Sequence, residues 1–290
     1  MIRFFTPCLF ACSLFACAPV TAQSEPAPAP VKVSPKIEIG LRKIEVPPPA
    51  GFVRSDGISK EFDAAMKNFF PPGNRLLAYY NSPEDHAALT EGRATSNDYT
   101  FNMQVVRSLE NEEIGERTFE GARSQMKGEL EKMRDKISGD IKKLVADGNE
   151  KVSKDYGTDT GLTVSDTVFL GIFEDSGSSL GFSMAIKVKV ADNEGKTVEK
   201  KSIAAAIMAP VNGRLVNFYA NAPYESEADR TRAEKAVAAW RTAVVSANPR
   251  IAGPEADPGL AYKLGKFVGA GVVIALIFGL VKLFSKKKPA

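Results

Sequence analysis

The sequence predicts an α+β fold, in which helices pack against an antiparallel sheet, followed by one C-terminal transmembrane helix. Four strand-like runs between residues 162 and 222 follow one another with only short turns between them. Such turns leave no room for the helical crossovers of a parallel sheet. Apolar residues recur at helical spacing before and after these runs, and an uncharged stretch from Phe267 to Val281 lies near the C-terminus. These three observations predict the fold class.

The N-terminus has the three parts of a secretory signal peptide. Arg3 is followed by an apolar run from Phe4 to Phe15 and then by small residues that end at Ala22. We assign residues 1–22 to a signal peptide and residues 23–40 to a Pro- and Ala-rich linker, which is extended and semi-rigid.

A lipid anchor is the alternative reading of this N-terminus. The stretch Leu14-Phe15-Ala16-Cys17 resembles a bacterial lipoprotein box, in which Cys17 would be lipidated, although Phe15 is bulky for its position. All three cysteines of the chain lie before residue 18. The exported part therefore has no disulfide, and its core alone must stabilise it.

Residues 41–247 predict one periplasmic α+β domain. Its first helix places Phe62, Met66 and Phe69 on one apolar face and ends at a Pro-Pro-Gly sequence. The strand Arg75–Tyr80 follows, and then a short helix with Ser82 as its N-cap. The next strand alternates between two faces, which predicts a half-buried antiparallel strand. Its apolar face holds Tyr99, Phe101, Met103 and Val105, and its polar face holds Thr100, Asn102 and Gln104.

A long helix is predicted from about Thr118 to Ala146, because eight apolar residues recur there at spacings of three and four. A helix of this length would span about 44 Å, too long to lie wholly across the domain. We therefore expect it to project or to break, most plausibly at Gly139. Packing on the domain's own sheet is favoured over a coiled coil with a partner.

The second half of the domain predicts a meander of four strands. Asn212-Gly213 between two apolar runs is the strongest hairpin signal in the chain. A last helix opens at Ser226, with Asp229 in the position of a capping-box acid. This helix carries Trp240, which we interpret as a core anchor rather than a binding platform.

The C-terminal stretch is interpreted as a membrane span. Counting from Leu264 to Phe284, with Lys266 and Lys282 extended toward the interfaces, gives 21 residues and roughly 31 Å. We assign residues 248–262 to a linker, 263–285 to a transmembrane helix and 286–290 to a cytoplasmic basic tail.

The lysines after the span place the C-terminus in the cytoplasm by the positive-inside rule. Removal of the tail after about Gly259 is the alternative, because an apolar stretch followed by basic residues also marks some exported proteins for C-terminal processing. Within the predicted span, Gly271, Ala275 and Gly279 recur every four residues. They offer one face of small residues for helix–helix contact, with a second copy or with another membrane protein.

The charge of the chain argues against nucleic-acid binding. The net charge is +3, but excluding Arg3 and the six lysines from Lys263 onward leaves 31 Lys and Arg against 35 Asp and Glu. The exported part is therefore acidic, and the net positive charge of the chain comes from the excluded residues at its two ends.

The order of the elements resembles the PsbP-like fold, which includes the DcrB-type periplasmic lipoproteins. The matching features are the first strand in IEVPPPAGFV, the FDAAM helix, the long middle helix, the meander that ends in VNGRLVNFYA, and the capped last helix. The resemblance covers most of residues 41–247. It implies accessory or assembly proteins at membranes, generally without catalysis of their own, and it carries over no functional residue.

The sequence has no recognisable catalytic motif. His86 is the only histidine, and no serine or acid partner for it is identifiable from the sequence. Acids such as Asp56, Glu61 and Asp63 are scattered, and nothing singles out a pair of them. We assign no catalytic, cofactor-binding or metal-binding residue, and we expect no cofactor.

These observations predict a single-pass protein of a bacterial inner membrane, with its domain in the periplasm as a non-catalytic binding or assembly module. Its expected partners are the lipid bilayer and either itself or a membrane protein. The alternative is a membrane-anchored, carboxylate-dependent hydrolase. An acid pair in a cleft would favour the hydrolase, and a surface groove would favour the module.

Overall fold

The computed structural model describes residues 34–93, 95, 99–133, 137–157, 162–191, 197–251, 259–260 and 262–264. These residues form an α+β structure with antiparallel sheets, as predicted. The signal peptide (residues 1–22), Cys17, the glycine face of the span and the tail from residue 286 lie outside the described residues.

The strands form a two-stranded hairpin and a seven-stranded sheet of order β3-β4-β5-β9-β8-β7-β6, and all neighbours are antiparallel. β1 lies within the segment assigned to the linker. The strands are β1 (Lys36–Ile39), β2 (Arg42–Glu45), β3 (Val53–Arg54), β4 (Asn74–Asn81), β5 (Thr100–Val106), β6 (Thr163–Ser176), β7 (Ser179–Ala191), β8 (Thr197–Val211) and β9 (Arg214–Pro223).

Helices cover both faces of the large sheet. A core on one face includes apolar residues of α1, α3 and α4, and the core on the other face contains α5 and the β1–β2 hairpin. The predicted meander is confirmed, since β6 to β9 pair in succession and Asn212 and Gly213 turn with φ of 47° and 75°. The helices are α1 (Lys60–Lys67), α2 (Pro83–Thr90), α3 (Glu116–Met133), α4 (Ile137–Tyr156) and α5 (Glu227–Ala247).

The long middle helix differs from its prediction. α3 ends at Met133 and α4 begins at Ile137, so Gly139 lies inside a helix and the break expected there was wrong. α4 also continues ten residues beyond Ala146, because Val145, Gly148 and Val152 extend the buried stripe. A Cβ added at Gly148 would lie 2.9 Å from the Phe69 ring, so glycine permits the close approach of α4 to the end of α1.

The predicted half-buried strand is buried on both faces. Every residue of β5 is buried, including Thr100, Asn102 and Gln104. The prediction was wrong because alternation reports which side chains share a face, and not whether that face meets water.

The two ends of the described domain are tied together. The Glu45 N–H donates to Asn248 Oδ1 at 2.9 Å, and Asn248 Nδ2 donates back to the Glu45 carbonyl at 2.8 Å. Nearby, the indole of Trp240 donates to the Pro47 carbonyl and contacts the rings of Tyr80, Phe101 and Phe218 edge-on. The prediction of Trp240 as a core anchor is thus confirmed.

Candidate functional site

A groove opens where β8 runs on beyond the end of β9. The last pair between these strands is Ser202 with Pro223, and the Tyr224 N–H then donates to the Lys201 carbonyl at 3.1 Å before the chain turns toward α5. The next residues of β8, Thr197–Lys200, pair with β7 on one side only among the described strands. The groove holds about 550 Å³ and is lined by Glu199, Lys200, Lys201, Ser202, Pro223, Tyr224 and Glu225.

At this end of β7 and β8, lysines outnumber acids among the described residues of the two strands, while the groove lining holds two lysines and two glutamates. Lys201 lies directly opposite Lys187 of β7, and Glu199 lies opposite Lys189. Like charges in directly opposite positions destabilise a strand pair. Lys187 also faces Asp166 of β6, which offsets part of that repulsion on the side away from the groove.

The far wall of the groove is the segment Pro223–Glu225, which leads into α5. The Tyr224 hydroxyl donates to Glu227 Oε1 at 2.7 Å, and this hydrogen bond raises the pKa of Tyr224. Asp229 closes the predicted capping box by accepting the N–H groups of Glu225 and Ser226, and these bonds lower its pKa. These exposed hydrogen bonds connect the wall to the first turn of α5.

A second polar region is buried inside the fold. Thr100, Asn102 and Gln104 of β5 point to the same side as Val106, into the core that contains residues of α1, α3 and α4. Gln104 accepts from Asn74 Nδ2 at 2.9 Å and donates to Asn102 Oδ1 at 2.7 Å. We call the five amide side chains on this face the buried amide row: Asn74, Asn102 and Gln104, with Asn217 and Asn221 of β9.

The buried amide row is only partly satisfied. Asn102 Nδ2, Asn217 Oδ1 and Asn221 Oδ1 have no hydrogen-bond partner in the described part of the chain. Burial raises the pKa of Tyr79 and of Tyr219, so both hydroxyls on this face stay neutral. The row therefore offers neutral donors and acceptors, and it is closed to solvent.

The structure gives His86 a serine partner that the sequence did not reveal. Ser55 Oγ lies 3.1 Å from His86 Nδ1 and 3.2 Å from the Val53 carbonyl, to which it donates its proton. Ser55 is fully buried. A serine whose proton is committed to a carbonyl and which no substrate can reach is not a nucleophile.

Two of the acids considered in the sequence, Asp56 and Asp63, have structural partners. Asp56 accepts hydrogen bonds from Nε and Nη2 of Arg54 and from the Tyr79 N–H at 2.9 Å, and Asp63 accepts the Gly57 N–H at 3.0 Å. Glu61 lies in α1. In the described ranges there is no group of three or more residues that could hold a metal ion.

Other acids tie the end of the β6–β7 hairpin to both helical layers. Asp175 pairs with Arg123 at 2.6 Å and with Lys127 at 2.9 Å, and both of these residues belong to α3. The preceding residue, Glu174, pairs with Arg241 of α5 on the other face. Because each acid has a basic partner, the pair clamps the hairpin rather than forming a reactive centre.

The C-terminal site residues of the sequence analysis cannot be compared with a described geometry, because Gly271, Ala275 and Gly279 lie beyond residue 264. No helix in the described ranges is both long and apolar enough to cross a membrane. Leu260 of the predicted linker and Leu264 at the start of the predicted span are buried in the core that contains residues of α1, α3 and α4.

The groove was missed in the sequence, although a signal for it was present. Counting outward from the Asn212-Gly213 turn pairs Ser202 with Pro223 and Lys201 with Tyr224, and it leaves residues 197–200 beyond the end of β9. The buried amide row has no such signal, since its strand pattern is the same as that of a strand facing water.

Comparisons with known proteins do not assign this chain to a family. No family model matches it, and no curated protein matches it. Among solved structures, a variant of the protein Mog1 is 15% identical, with 78% of this chain and 99% of that chain covered and a TM-score of 0.27. The Saccharomyces cerevisiae Ran-binding protein Mog1p is 14% identical, with 78% and 98% covered and a TM-score of 0.27. Neither similarity supports an argument about fold or function.

Proposed function

We propose that this chain is an exported, single-pass protein of a bacterial inner membrane whose periplasmic domain is a non-catalytic binding or assembly module. The signal peptide and the C-terminal apolar stretch with its lysine flank support the placement. The resemblance to PsbP-like domains supports the class of role.

The observation that carries the proposal is the groove at the open end of β8. Its volume of about 550 Å³ lies within the range of ligand sites, and it combines an open strand edge with a wall that is hydrogen-bonded to the first turn of α5. It is lined by acids, lysines and a tyrosine that is bound to Glu227. A site with these properties binds a partner without needing to transform it.

The arrangement around His86 supports the absence of catalysis. The serine beside it is buried, and its proton is donated to the Val53 carbonyl. The hydrolase alternative needs a pair of acids free to act on a substrate, whereas Asp56, Glu174 and Asp175 are each bound to a basic side chain.

The buried leucines support a short connection to the membrane. With Leu264 in the core, the twenty residues from Gly265 to Phe284 still cover about 30 Å, which is enough for one span. The domain then lies next to the bilayer rather than at the end of a long tether.

Topology is tested with reporters fused after Ala290. A reporter that works only in the cytoplasm is expected to be active there, and activity of a periplasmic reporter alone contradicts the proposed orientation. The intact mass of the mature protein separates cleavage after Ala22 from a lipid on Cys17. It also detects removal of the segment after Gly259.

Binding is tested with a photo-crosslinking amino acid in place of Tyr224 in the full-length protein, expressed in cells. We expect an adduct of defined mass that is absent when the same group replaces Lys235, an exposed residue of α5 outside the groove. Equal labelling at both positions, or none at either, contradicts a groove-mediated module.

A further inference from the structure

We propose that the edge of β8 that no described strand covers, residues 197–200, binds an extended acidic peptide segment of a partner by strand addition. This inference rests on the proposed binding function and names the chemistry of its partner. The occupant continues the sheet where β9 stops, with its backbone hydrogen-bonded to β8 and its acidic side chains near the lysines of β7 and β8.

The backbone of the edge is oriented for such a pairing. In an antiparallel strand the N–H and C=O of one residue point to the same side, and alternate residues point to opposite sides. The Lys201 carbonyl accepts a hydrogen bond from the Tyr224 N–H, so the backbone groups of Lys201 point to the side on which β9 lies. Glu199 and Thr197 therefore direct their N–H and C=O groups into the groove, while Lys200 and Val198 direct theirs toward β7.

The size of the edge limits the occupant. The four residues from Thr197 to Lys200 span about 14 Å, which is the length of a short extended segment. At one end, the segment meets Tyr224 and Glu225, where the chain turns toward α5. An extended peptide fits this space, and a helix about 10 Å wide does not fit against a strand edge by backbone pairing.

The charges around the edge select an acidic segment. Near the loop end of the β7–β8 hairpin, Lys187, Lys189 and Lys201 outnumber Glu199 on the two strands. Asp166 of β6 lies opposite Lys187, and Glu225 lines the groove. Lys201 and Lys187 face each other, and a nearby carboxylate would relieve their repulsion. A second copy of this chain is a poor occupant, because antiparallel pairing of two such edges about Glu199 places two like charges against each other.

Lysines on an exposed edge also serve to keep other strands away. Edge protection predicts that no peptide binds, whatever its charge. Strand addition predicts that binding depends on peptide charge and on one backbone N–H, that of Glu199. The experiment separates these two outcomes.

The test uses the full-length protein in detergent and a short fluorescent peptide of alternating valine and glutamate, with fluorescence anisotropy as the readout. Matched peptides carry lysine in place of glutamate, or a central proline that prevents strand pairing. We expect saturable binding of the acidic peptide and at least tenfold weaker binding of both controls, as expected when one or more hydrogen bonds and charge pairs are lost.

The key pair of variants changes one residue in two ways. Glu199→Pro removes the N–H that points into the groove and leaves the bonds to β7 in place, so the fold is retained. Glu199→Gln keeps the N–H. We expect Glu199→Pro to weaken binding about tenfold and Glu199→Gln to bind at least as tightly as the unmodified chain. Circular dichroism checks that both variants are folded.

A third variant tests charge. Lys201→Glu is expected to weaken binding of the acidic peptide and to strengthen binding of the lysine peptide. Equal binding to Glu199→Pro and Glu199→Gln overturns strand addition, and so does the absence of any peptide binding. Binding to vesicles of phosphatidylglycerol that Lys201→Glu abolishes, without peptide binding, assigns the lysines to a lipid surface instead. A groove crosslink at Tyr224 that persists when peptide binding fails leaves the binding module in place and removes only strand addition.

Discussion

The two faces of β5 and β9 have the same alternating pattern in the sequence but different interiors. Toward α5, Phe101, Met103 and Phe218 pack around Trp240, and the only polar atom of that indole is bound to the Pro47 carbonyl. Toward the face of α1, α3 and α4, Asn102 and Gln104 meet other amides. A fold can therefore bury a polar face as completely as an apolar one, even when only some of its amide groups bond to one another.

The largest expected effect is on the apolar face. Trp240→Ala removes a side chain that touches three aromatic rings and leaves a cavity beside them. We expect a loss of about 3–5 kcal/mol in the free energy of unfolding. Urea denaturation followed by circular dichroism measures it, and Trp240→Phe, which keeps an aromatic ring there, should lose clearly less. A loss below about 1 kcal/mol would mean that Trp240 is not an anchor.

The next effect is on the buried amide row. Gln104→Ala leaves Asn74 Nδ2 and Asn102 Oδ1 without the partner that each has now, which is expected to cost about 2 kcal/mol. Gln104→Met keeps the volume and removes the amide, so it separates hydrogen bonding from packing. If Gln104→Met is as stable as the unmodified chain while Gln104→Ala is not, the row contributes only by filling space.

The smallest effect is at the clamp between the two faces. The hydrogen bond from Lys127, together with Arg123, lowers the pKa of Asp175, so its folded-state carboxylate is stabilised at neutral pH. Because Asp175 is partly exposed, Asp175→Asn is expected to cost less than about 1 kcal/mol at pH 7. The difference between the two proteins should vanish as the pH falls through the lowered pKa. A difference that stays constant down to acid pH would show that charge is not its cause.

The sequence predicts local structure well where a specific residue carries the physical reason. Asn212-Gly213 adopts a turn with positive φ at both residues, and Ser82 caps α2 through the Asp85 N–H. The boundary of the middle helices was harder, because Gly139 lowers helix propensity without ending a helix whose neighbours are packed.

The candidate site was less predictable, for two physical reasons. The groove depends on where one strand stops relative to its neighbour, and this follows only from the register fixed by the turn. The contact between Ser55 and His86 joins residues 31 positions apart through the packing of α2 on β3, which no local pattern encodes. Charge sums also concealed the lysine cluster on β7 and β8, since the exported part as a whole is acidic.

The pair of hydrogen bonds between Glu45 and Asn248 has a consequence for how the domain is made. Their partners are 203 residues apart, so the bonds form only after almost the whole domain has been synthesised. The chain is synthesised from its N-terminus. The N–H and carbonyl of Glu45 in β2 therefore lack their Asn248 partner until nearly the whole domain has been made. Contacts of such sequence separation slow folding, and the unfinished chain exposes a strand to pairing with its neighbours. Only when the chain has reached Asn248, directly after α5, can these two backbone groups of the first hairpin be hydrogen-bonded as in the folded domain.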